Sequence, residues 1–196
     1  LVEQIGAITP QNHSRPLFYD PDFVAILATT LRNATDLGMP QLALTLTDSV
    51  TRAGDTLGPD HPSTLTSRDN LAGAYCDAGR LDEAITLYEQ TLDDRTRILG
   101  PHHPDTLTSR NNLANAYHDA GRLDEAIALH QQNLKESTRI LGPDHPDTLI
   151  SRDNLASAYH DAGRLDEAIT LHQQNLKDRD HILGPHHPDT LTTRNN

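Results

Sequence analysis

Twelve histidines in 196 residues invite chemistry first, because an imidazole can hold a metal, carry a proton or activate a nucleophile. They include the doublets His102-His103 and His186-His187 and the pairs His118-Asp119 and His160-Asp161. Adjacent residues on a helix point about 100° apart, and no two histidines stand at i and i+4, so no chelating pair is expected. The single thiol, Cys76, has no basic neighbour in sequence to activate it, and no Gly-rich phosphate loop is present. The histidines and acids also recur with the chain's own period, whereas an active site needs unlike residues converging once. A non-catalytic protein with no metal and no cofactor is the expectation.

Composition narrows the partners. The formal net charge of −12 argues against a phosphate-binding surface, which draws on clustered Lys and Arg, so no nucleic acid partner is expected. No run of about 18 apolar residues suits a membrane span, and the start lacks the basic and apolar regions of a signal peptide. With one cysteine there is no internal disulfide, and a cytoplasmic location with no membrane partner is the default. Two Phe, five Tyr and no Trp leave Leu, Ile and Ala to build the core, which suits interdigitating helices and an all-α fold.

The elements that position these residues come from repetition. Leu-Gly-Pro-x-His-Pro begins at Leu57, Leu99, Leu141 and Leu183, a period of 42, and 101–142 matches 143–184 at 33 of 42 positions. Such a period marks a solenoid, in which each unit packs on its neighbours. Within a unit, Leu107, Leu113, Ala114 and Tyr117 share one helical face, and His-Pro-Asp at 103–105 is a helix start. Gly121 supplies a left-handed stop, after which Leu123, Ala126, Ile127, His130, Leu134 and Leu141 line a second helix ending at Gly142-Pro143. The loop histidines are read as caps of helix starts. Repeats are expected at 59–100, 101–142 and 143–184, with a partial copy at 185–196. A worn capping repeat at 21–58 and a lead-in at 1–20 precede them, and the chain reads as an excised piece of a longer protein.

Asn-Leu-Ala-x-Ala-Tyr-x-x-Ala-Gly-Arg-Leu-Asp-Glu-Ala-Ile, carried at 70–85, 112–127 and 154–169, resembles the tetratricopeptide repeat. The longer period and the Leu-Gly-Pro-x-His-Pro linker are similar to the kinesin-light-chain variety, which also occurs in bacterial multidomain proteins. That resemblance implies a right-handed superhelix of antiparallel helix pairs whose first helices line a concave groove. It further implies a protein–protein interaction module, plausible as the sensor of a larger bacterial signalling protein of the nucleotide-switch NTPase type. The Arg-rich basic set, 14 Arg to two Lys, points the same way through a GC-rich genome.

On that implied groove the candidate binding residues are Thr66, Asp69 and Asp77 in one unit, and Thr108, Asn111, Asn115, His118 and Asp119 in the next. Asp153, Ser157, His160 and Asp161 follow in the third. The surface is expected to be polar and acidic, suited to a protein or peptide bearing Lys or Arg. A carboxylate clamp of the kind some tetratricopeptide domains use is absent, because the matching positions hold Asp and no Lys. Asn70, Asn112 and Asn154 serve either helix packing or peptide contact. Arg68, Arg110, Arg152 and Arg194 form a ladder expected to reach acids on adjoining helices. Arg80, Arg122 and Arg164 are expected to bond the free carbonyls at helix ends. The alternative to a groove binder is a structural scaffold, self-associating through its C-terminal end near Leu191.

Overall fold

The structure is a computed structural model that describes residues 57–184 and 186–195, with scattered positions between 26 and 54. The expected lead-in at 1–20 and most of the expected capping repeat at 21–58 lie outside the described residues. From residue 57 onward the chain forms α1 (Pro62–Asp77), α2 (Leu81–Leu99), α3 (Pro104–Asp119), α4 (Leu123–Leu141), α5 (Pro146–Asp161), α6 (Leu165–Leu183) and α7 (Pro188–Asn195). No strand occurs among the described residues.

Each first helix starts where His-Pro stands. The Nδ1 atoms of His61, His103 and His145 accept from the backbone N–H groups of Ser63, Asp105 and Asp147, each at 3.2 Å. The caps satisfy donors that a helix start leaves free, and the following Pro has no N–H to satisfy. The stop is a glycine: Gly121 has φ of 72°, a left-handed conformation that a Cβ disfavours. The Arg122 N–H then reaches back to the Tyr117 carbonyl at 2.8 Å, closing the helix end. Second helices carry acids in their first turn, Asp124 and Glu125 in α4, where the helix dipole favours negative charge.

The side chains of Arg80, Arg122 and Arg164 do not bond the helix-end carbonyls; their backbone N–H groups do that. The guanidinium groups instead lie over the rings of Tyr75, Tyr117 and Tyr159, at 4.5, 4.3 and 4.3 Å from the ring centres. They pair there with Glu83, Glu125 and Glu167. A delocalised cation gains from the ring face and from the carboxylate together, without having to bend back into the turn.

Consecutive helices pack in chain order, and the core falls between repeats. One cluster joins Ile85 and Tyr88 of α2 to Leu113 and Tyr117 of α3 and Ala126 of α4. The next joins Ile127 of α4 to Leu155 and Tyr159 of α5 and Ala168 of α6. Each helix pair therefore completes its core only on its neighbour. Small residues at the crossings, Ala72, Ala114 and Ala156, have no exposed surface, so the backbones approach closely.

The arginine ladder reaches acids on adjoining helices at three rungs, the last being Arg194 of α7, 3.6 Å from Asp180 of α6. Arg68 pairs with Asp94 at 3.0 Å and Arg152 with Asp178 at 2.6 Å, each tying a first helix to the second helix of its own pair. Arg110 departs from this: the acid at the matching position, Glu136, is taken by Arg139 and His102. Arg110 keeps one bond, to the Pro101 carbonyl at 3.3 Å, and its Nη1 has no partner. Burial without a paired acid pulls its pKa down.

Candidate binding site

Beyond the chain-order contacts, first helices also touch each other, α1 with α3 and α3 with α5. The side on which non-consecutive helices meet is the inner side of the curve, and the candidate residues can be placed against it. Thr108, Asn115 and Asp119 are exposed on α3, with Asn111 and His118 half-buried on the same line. Asp77 is exposed at the end of α1, and Ser157, His160 and Asp161 are exposed on α5, while Thr66 is half-buried.

Asp69 does not belong to this surface, which corrects the expectation. Its side chain is buried between α1, α2 and α3, 2.6 Å from the Arg95 guanidinium and 3.4 Å from the Ser109 hydroxyl. Burial pushes its carboxyl up to about 6 against the pull of Arg95. Asp153 is half-buried and both its oxygens are engaged, 2.7 Å from Arg179 and 2.5 Å from the Asn175 amide that donates to it. Two of the acids assigned to the groove thus serve as countercharges to arginines of the second helices.

At the far end of the first helices the acids and histidines organise one another. Asp161 receives both His118 Nε2 at 2.7 Å and His160 Nδ1 at 2.9 Å, and these bonds hold its carboxyl below its usual range. In the preceding pair, Asp77 is pushed up by burial and by the nearby charge of Asp119. No group of three metal-ligating side chains gathers among the described residues.

The structure also holds a recess of about 370 Å³ between the first turns of α3 and α5, with α4 behind it. That size lies at the lower end of the range of about 300–1,000 Å³ for small-ligand sites. Thr108 and Asn111 of the expected set line it, together with Asn133 and Ser137 of α4 and Asp147 and Ser151 of α5. Asn133 is 3% exposed; its amide nitrogen donates to Ser151 Oγ at 3.4 Å, and its Oδ1 has no hydrogen-bond partner among the described residues.

Asn133, Ser137, Asp147 and Ser151 were not among the expected site residues, although the sequence carries a signal for them. Positions 69, 111 and 153 read Asp, Asn, Asp, and positions 95, 137 and 179 read Arg, Ser, Arg. Both members of the internal ion pair change together in the middle repeat, and the recess is where the missing guanidinium would stand.

A paired-helix stack with Gly stops, small residues at its crossings and a polar inner face is a tetratricopeptide-type solenoid. The tetratricopeptide repeat model matches residues 33–93, 68–135, 110–177 and 153–196, and the chain belongs to that family. Its repeats are of the kinesin light chain-like kind. A crystal structure of nearly identical TPR-like repeats of kinesin light chain type from Podosopora anserina is 32% identical, covering 89% of this chain and 83% of its own, with a TM-score of 0.79. A substituted form of those same repeats is 30% identical, with coverages of 92% and 84% and a TM-score of 0.80. BtubC (BKLC) from P. vanneervenii shares the fold at 24% identity, coverages of 90% and 72%, and a TM-score of 0.74. Comparison with curated proteins returns no match. The family is one of protein–protein interaction or scaffold modules. Among the described residues no helix is long and apolar enough to cross a membrane.

Proposed function

We propose that this chain is a non-catalytic module that binds an extended protein segment along the inner face of its first helices. The observation that carries the reading is the line Thr108, Asn111, Asn115, Asp119, spaced three or four residues apart on α3 and leading into the recess beside Asn111. Asn side chains donate and accept at once, so they suit an extended backbone of variable sequence. The exposed Asp77, Asp119 and Asp161 favour a segment bearing Lys or Arg, and in a larger signalling polypeptide the array would serve as the sensor.

Capture on an array of basic and acidic peptides at low and high salt tests this directly. Salt-sensitive capture of basic peptides, lost when Asn111, Asn115 and Asp119 are replaced by Ala, is the expected result. Capture of no peptide class would overturn the reading.

A further inference from the structure

We infer that the recess in the middle repeat is a receptor for the guanidinium of an arginine side chain carried by the bound segment. The inference rests on the groove reading above and names the residue that the groove selects.

The flanking repeats show what the site is shaped for. In the first, Arg95 of α2 sends Nη1 to Asp69 Oδ2 at 2.6 Å, Ser109 Oγ at 2.8 Å and the Asp105 carbonyl at 3.0 Å. In the third, Arg179 of α6 meets Asp153 at 2.7 Å and also bonds Thr193. One planar cation thereby joins a helix pair to the first helix of the next pair. In the middle repeat that cation is absent because position 137 is Ser, yet its surroundings are largely retained. Ser151 and Asp147 match Ser109 and Asp105, and Asn111 matches Asp69 with a carboxamide in place of the carboxylate.

The site offers acceptors with capacity to spare: Asn111 Oδ1 accepts one bond, from Asn154 at 2.9 Å, and the Asp147 carbonyl one from Ser151 Oγ at 2.8 Å, and each oxygen has a second lone pair. The Asn133 Oδ1 is buried and has no hydrogen-bond partner among the described residues, a cost that an incoming N–H would relieve. Among the lining residues Asp147 is the one carboxylate, and no Lys or Arg is present to repel a cation. Placing a carboxylate at position 111 with no cation opposite it would be costly, so the amide leaves the empty site stable and still able to accept. A guanidinium presents several N–H donors in one plane, which suits a site whose acceptors sit on three different helices, whereas an ammonium concentrates its charge at a point.

The test uses the pentapeptide Ac-Ala-Ala-Arg-Ala-Ala-NH2 and its Lys, Gln and citrulline counterparts, titrated into isotopically labelled protein while the Asn133 and Ser151 amide signals are followed. The Arg peptide is expected to bind tightest, roughly tenfold better than the citrulline peptide of the same shape without charge. Asn111→Asp should tighten the Arg peptide by about the same factor, since it restores the carboxylate opposite the cation. The pair N111D/S137R copies the arrangement of the flanking repeats, so it should fold with an undiminished melting temperature and bind none of the peptides at this place. Equal binding of all four peptides, or Arg binding that survives N111D/S137R, would overturn the inference. If peptide arrays are captured along the groove while the Arg pentapeptide leaves Asn133 and Ser151 unmoved, the groove reading stands and the guanidinium site falls. If neither binds, both fall.

Discussion

Arg152 donates from Nη1 to the side-chain oxygen of Asn175 at 3.2 Å, and one repeat earlier the equivalent oxygen, on Asn133, has no donor. The two asparagines occupy the same place on α6 and α4. The difference lies in their neighbours: Asn175 also donates to Asp153 and to the Leu149 carbonyl, whereas Asn133 has only a long bond to Ser151. A constant backbone frame thus carries variable polar joints, and the variation is confined to a few coupled positions.

Removing one member of an internal ion pair should cost far more than exchanging both. Asp69→Ala leaves Arg95, with a side chain 7% exposed, buried without its countercharge, and should destabilise the array by about 3–5 kcal/mol. The double change D69N/R95S copies the middle repeat and should cost less than that single change. Chemical denaturation of both forms checks the ordering, and the double form should gain a second recess that takes the Arg pentapeptide.

Acid stability should depend on two buried groups acting in opposite directions. His130 is pushed down to about 4 by burial, against 6.5 when free, so the unfolded chain takes up the proton first. Its contribution is present above pH 6.5 and is lost as pH falls towards 4, on the order of 3 kcal/mol in full. Asp69 is raised from 3.8 to about 6, so the folded chain binds that proton more tightly and gains stability as pH falls through 6. Between pH 6.5 and 5, denaturation midpoints should fall with pH in Asp69→Asn and rise on acidification in His130→Gln. The same slope in both variants would contradict this balance.

Gly121→Ala isolates a backbone effect. A Cβ there meets nothing within 4 Å, so the loss of stability should be the conformational cost of a left-handed alanine, about 1–2 kcal/mol. Thermal melting reads it, and no change in helix content should accompany it.

Cys76 should be a slow thiol. Burial, and after it the charges of Asp119 and Asp77, raise its pKa to about 11. Alkylation by iodoacetamide at pH 8 should run at least about tenfold slower than that of free cysteine. Replacing both acids by Asn should recover only part of the rate, because burial is the larger cause.

The helix pairs were readable because their punctuation is chemical. His103-Pro104 caps a helix and Gly121 ends one through local geometry that needs no knowledge of the rest of the chain. Asp69 was misplaced because its charge suggested solvent, yet it stands four residues after Leu65 and three before Ala72, both buried, and so lies on the packed stripe. Only a countercharge 26 residues away, Arg95, makes that position tolerable, and spacing along one helix does not reveal it. The recess was hidden for a related reason. Asn111 and Ser137 are unremarkable polar residues singly, and they acquire meaning only when the flanking repeats show the pair they replace.

The missing guanidinium also has a mechanical consequence. Arg95 fastens α1 and α2 to α3, and Arg179 fastens α5 and α6 to α7, each through an ion pair on one side of a joint and a hydroxyl group on the other. The joint between α4 and α5 has in its place a 3.4 Å contact from Asn133 to Ser151, supported by the Asn154–Asn111 and His118–Asp161 bonds nearer the inner face. Under bending or tension the stack is therefore most compliant at its middle, like a spring with one softer coil, and an arginine seated there would stiffen it to match the rest.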